Sequence, residues 1–135
     1  MPATIDLLIC AQQIKDAALK ASSIIRASLE RHVEGDWVSL DAEQAVAAHD
    51  AMESADELVK LIGEDYADND ETPSAVLLRK AGNVFAYSLA TVKKYPEGNR
   101  GHEAHAGRSQ SAVRQLEALA REAQAYLEQQ QGVSA

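Results

Sequence analysis

Ala45, Ala48, Met52, Ala55, Val59 and Ile62 follow one another at steps of three and four residues. In an α-helix that spacing keeps all six side chains on one stripe. In a strand it would scatter them over both faces. A stripe of this coiled-coil type is useful only against another helix, so the chain must supply partners for it. Three further segments have the same periodicity.

The first segment runs from about Thr4 to His32, with Leu7, Ala11, Ile14, Ala18, Ala21 and Ile25 on one face. Leu8, Leu19, Ile24 and Leu29 widen that face, which predicts a helix covered on more than one side. The third runs from Thr72-Pro73 to about Lys94 and carries two adjacent stripes. One is Leu77, Ala81, Val84, Ser88, Thr91 and Tyr95, and the other is Leu78, Phe85, Leu89 and Val92. The fourth is read from Ser109 to Gln130 on Val113, Leu116, Ala120, Ala123 and Leu127. An earlier start near His102 requires Gly107 to be accommodated inside the helix. Alanine supplies 25 of the 135 residues and aromatics only 4%. Alanine favours helix and occupies little room, which suits helices packed closely side by side.

The boundaries are marked by residues with local reasons to be there. Gly35 in Val33-Glu34-Gly35-Asp36 breaks the first helix, and Ser39 is placed to cap the second. Gly63 stops the second. Thr72 caps the third, with Pro73 in its first turn where a missing N–H costs nothing. Tyr95-Pro96-Glu97-Gly98-Asn99-Arg100-Gly101 is a turn. Gly82, in mid-helix, is expected to mark a close helix crossing. The Gln129-Gln130-Gln131-Gly132 tail is expected to fray. Short breaks favour antiparallel neighbours. The expectation is therefore an all-α single domain over residues 1–135, two helical hairpins in series forming an antiparallel four-helix bundle.

Charge is unevenly distributed. Residues 30–71 hold fourteen acids and two bases, a net −12 within a chain whose total is −8. The flanking parts are slightly basic. Such segregation points to a partner, either a basic surface elsewhere or the basic half of the same molecule. On the second helix Asp50, Glu53, Asp56 and Glu57 recur at three- and four-residue steps away from the seam. Asp41, Glu43, Glu64 and Asp65 extend the row at its ends. Spaced charge on a rigid helix can imitate a phosphate backbone. Arg79, Lys80, Lys93, Lys94 and Arg100 form a local basic group, read as a solvated face or as a dock for the chain's own acidic segment or another acidic partner.

Motifs for catalysis are lacking. No serine sits in a Gly-x-Ser-x-Gly setting, and no glycine-rich phosphate loop follows a strand. His102 and His105 are three apart and could share a metal if helical, with His49 as a conceivable third ligand. The spacing is not that of the zincins, and no Glu-x-x-His pair of the di-iron bundles occurs. Asp68-Asn69-Asp70 fails as an EF-hand, because the sixth position would be Pro73 and the twelfth Arg79. Cys10 is the only cysteine. It lies in an apolar stretch and reads as a small buried hydrophobe. Neither a secretory leader nor a membrane-length apolar run is visible.

These features predict a non-enzymatic cytoplasmic protein without cofactor or metal. It would act through protein–protein contact by Asp50, Glu53, Asp56, Glu57, Glu64 and Asp65, without direct nucleic-acid or membrane binding. Wide apolar faces on the first and third helices predict a homo-oligomer. Two rival readings are an acidic, nucleic-acid-mimicking inhibitor of a nucleic-acid-binding enzyme and a metal-dependent helical enzyme using His102 and His105.

Overall fold

Helix α1 spans Thr4–Arg31, α2 Ala42–Gly63, α3 Pro73–Lys94 and α4 His102–Ser134. The computed structural model describes the backbone of residues 4–31, 42–94 and 102–134, and the side chains of residues 7–27, 44–92 and 109–130. Gly35, Ser39 and the 95–101 turn fall outside those residues. Among the described residues there is no strand.

Long-range side-chain bonds set the helix directions. Lys15 Nζ donates to Gln124 Oε1 at 2.6 Å, and Arg26 Nη2 to Glu117 Oε2 at 2.6 Å. Ascending α1 thus descends α4. Ser74 Oγ and Tyr126 OH lie 2.8 Å apart, and Lys80 Nζ donates to Glu122 Oε1 at 2.7 Å, so α3 and α4 are also antiparallel. Helix α2 packs on α1 and α3, while α1 and α3 touch only slightly across the diagonal. The result is a square up-down-up-down bundle, as expected. The N-terminus of α1, the α2–α3 loop and the C-terminus of α4 share one end.

The core is built from the predicted seams. All six α2 seam residues are buried, with Ala48 and Met52 fully so. Ala11, Ile14, Ala18, Ala21 and Ile25 of α1 meet Val113, Leu116, Ala120, Ala123 and Leu127 of α4 as buried residues. Phe85, Ile14, Ile25, Met52 and Leu116 are its largest fully enclosed side chains. Each stabilises the fold by about 1.5–3 kcal/mol relative to exposure. Cys10 belongs to the same core, and burial pushes its thiol up to about 11.

Three expectations need correction and one open question is answered. First, the start of α4, left open by Gly107, lies at His102, and the helix continues through Gly107 and Gly132 to Ser134. A mid-helix glycine costs about 1 kcal/mol, and extending an existing helix needs no new nucleus. Second, the glutamine-rich tail is therefore helical. Third, Gly82 is not a close crossing. A methyl group there would meet only Val59 Cγ1, at 4.0 Å. Fourth, the double stripe of α3 does not call for a second copy. Leu77, Leu78, Ala81, Phe85 and Val92 are buried within the monomer, because α3 packs on both α2 and α4. On α1 a surplus persists, with Ile9 and Leu19 half exposed.

Candidate functional site

The acidic face starts from the geometry of α2. Asp50, Glu53 and Glu57 lie opposite the seam, and all three are exposed. Glu64 and Asp65, in the turn that follows, are exposed as well. From Asp50 to Glu64 the row covers about 21 Å at the α-helical rise per residue. Of the two acids extending the row toward the N-terminus, Asp41 lies outside the described residues and Glu43 is described only in its backbone.

Asp56 departs from the expected row. It is 5% exposed, with Oδ2 3.0 Å from Lys60 Nζ and Oδ1 without a hydrogen bond. The reason is its register: Asp56 is four residues after Met52 and three before Val59, so it rises from the edge of the buried seam. The exposed row steps instead from Glu53 to Glu57 to Glu64. Lys60 is exposed and reaches back along the helix to Asp56. The most central base of the acidic segment is thereby engaged with a buried acid.

His49 belongs to the same region. Its Nδ1 lies 3.5 Å from both Asp50 Oδ1 and Glu53 Oε2. One ligand atom from each of the three residues falls within 4.8 Å of the others. All three come from α2 and stand on its open surface, whereas a structural metal site is closed around its ion. His102 and His105 both fall in the first turns of α4, but their side chains lie outside the described residues.

The α2–α3 loop is held in place. Glu64 N–H donates to Lys60 O, Asp65 N–H to Ile62 O, and Tyr66 N–H to Gly63 O. Thr72 N–H donates to Asp70 Oδ1 at 2.8 Å, and Thr72 Oγ1 caps α3 by accepting from Ala75 N–H at 3.4 Å. The Thr72 N–H bond, with the Thr72 hydroxyl and the Arg79 charge, holds the Asp70 carboxyl below its ordinary range. Arg79 Nη1 donates to the carbonyls of Asp68 and Asp70 at 2.9 and 3.0 Å, and Nη2 lies 3.6 Å from Glu71 Oε1. Two backbone carbonyls of the loop are thus bonded to a guanidinium. Partial burial raises the Tyr66 phenol above the usual value. The Ser74–Tyr126 bond ties the start of α3, just after the loop, to α4.

The predicted basic group is divided. Arg79 docks on the acidic loop of its own chain, but Lys80 pairs with Glu122 of α4. The Lys93 and Lys94 side chains and Arg100 lie outside the described residues. Arg26 is engaged by Glu117 at 2.6 Å. Glu57, Glu64 and Asp65 have no cationic partner among the described residues. Neither Lys20, Arg114 nor Arg121 has an acidic one. Sequence reasoning missed the groove between α1 and α4, where Lys15, Leu19, Arg121 and Gln124 converge. No sequence signal announces it, because those residues meet only through the pairing of helices about a hundred residues apart. No protein-family model, curated protein or solved structure matches this chain.

Proposed function

We propose that the protein is a non-enzymatic interaction module of the cytoplasm that binds a basic protein surface through Asp50, Glu53, Glu57, Glu64 and Asp65. One observation carries the reading. These acids stand on one rigid helix face and its following turn, with little neutralisation from their own chain. Lys60 is taken by Asp56, and among the described residues only His49 lies beside Asp50 and Glu53. A row of uncompensated charge on a packed helix presents a fixed potential that steers and orients a complementary partner. Imitation of nucleic acid is the narrower form of the same idea, in which the partner's basic surface is a nucleic-acid cleft.

The test uses the full chain as bait in extract from the native source. Replacement of Asp50, Glu53, Glu57 and Glu64 by Asn or Gln is expected to abolish capture of the specific partner. Asp56→Asn is expected to preserve it. Competition by duplex DNA supports the nucleic-acid-mimicking form, and indifference to DNA limits the partner to other basic proteins. Equal capture by parent and neutralised chain overturns the proposal.

A further inference from the structure

The α1–α4 groove is an open cleft of about 350 Å³ lined by Lys15, Leu19, Glu117, Ala120, Arg121 and Gln124. Its cations are available. Among the described residues, Lys15 bonds only to the neutral amide oxygen of Gln124, at 2.6 Å, and Arg121 has no partner. Glu117, the one acid in the lining, is occupied by Arg26. Leu19 lines the groove and is 44% exposed.

On α2 the pattern is inverted. Leu61 is 65% exposed, the highest value among the described large hydrophobic residues. It lies four residues after Glu57, which neighbours it on the helix surface, and three before Glu64, in the turn that ends α2; neither acid has a cationic partner among the described residues. One face therefore offers an apolar knob between two free acids. The other offers an apolar-floored groove with two available cations.

Resting on the reading of the α2 acids as a binding surface, we infer that the partner is a second copy of this chain. Leu61 of one copy enters the α1–α4 groove of the next, beside Leu19, with Glu57 and Glu64 facing Lys15 and Arg121. The two patches belong to different faces, so the contact is heterologous and propagates head to tail into rings or open chains. The total charge of −8 opposes association, but the Debye length of about 8 Å at physiological ionic strength screens distant charges more than pairs in contact.

Mixing complementary variants tests the inference. Glu57→Lys with Leu61→Ser removes the knob, and Leu19→Ser with Arg121→Glu removes the groove. All four positions are exposed, and circular dichroism with thermal melting verifies that each variant folds. Sedimentation should show parent mass rising above 14.5 kDa at concentrations on the order of 0.1–1 mM, the range of a weak contact. Each variant alone should remain a single chain, and the equimolar mixture should give twice that mass and no more. Raising ionic strength from about 50 mM to about 0.5 M should reverse parent association without any substitution. A parent of single-chain mass throughout overturns the inference, as does self-association of both variants or a mixture that forms no dimer. Those results leave the proposed function standing if the neutralised bait still loses another protein. Loss of neither partner nor mass would sink both.

Discussion

Lys60 Nζ sits 3.0 Å from Oδ2 of Asp56, in a pair whose basic side chain is 72% exposed and whose acidic one is 7% exposed. The buried carboxylate also keeps Oδ1 without a hydrogen bond. Such a pair costs desolvation on its acidic side and gains little from a lysine that water already satisfies. Asp56→Leu is expected to raise stability by about 1 kcal/mol, since removing a buried, half-satisfied charge recovers its desolvation cost. Denaturant melts measure it, and a loss of stability would show that the carboxylate is essential to the α2 packing.

Gly82→Ala is expected to stabilise the protein by about 1 kcal/mol. The new methyl meets nothing closer than Val59 Cγ1 at 4.0 Å, an ordinary van der Waals contact. The unfolded chain loses freedom and the folded helix loses nothing. A lower melting temperature in the alanine variant would mean that α2 and α3 approach more closely than this.

Met52→Asp should destabilise the bundle by about 3–5 kcal/mol, because Met52 is fully buried on the α2 seam and the new charge has no partner there. A variant melting within a degree or two of the parent would place this face in water and reverse the orientation of α2.

The Asp70–Thr72 bond gives the α2–α3 loop a dependence on pH. A carboxyl held below its ordinary value of 3.8 favours the ordered loop at pH values above that point. The contribution is lost as pH falls through the lowered folded-state value. The amide proton of Thr72, followed by NMR, should therefore titrate with a midpoint below 3.8. Arg79→Gln should move that midpoint upward by removing the neighbouring charge. A Thr72 amide indifferent to acid would show that the bond is not made in solution.

Periodicity alone determined much of the fold. Steps of three and four among Ala45, Met52, Val59 and their equivalents specify which stripe of each helix must leave water. Four such stripes joined by short breaks close most simply as an antiparallel bundle. The exposure of Asp50, Glu53 and Glu57 was legible for the same reason, since they lie opposite the seam.

Residues at the edge of a seam were not legible. Asp56, on the edge between Met52 and Val59, is buried with them. Helix α3 uses both its stripes inside one monomer because two helices flank it. Coverage of an edge depends on how closely helices approach, and that distance results from the packing of the whole core. Helix α4 runs through Gly107 and Gly132, where local propensity alone marked an uncertain start and a frayed end. The groove that joins Lys15 and Leu19 to Arg121 and Gln124 depends on interhelical register. A helix sequence states which side faces inward, but the sum of contacts between distant segments decides which residues stand level with one another.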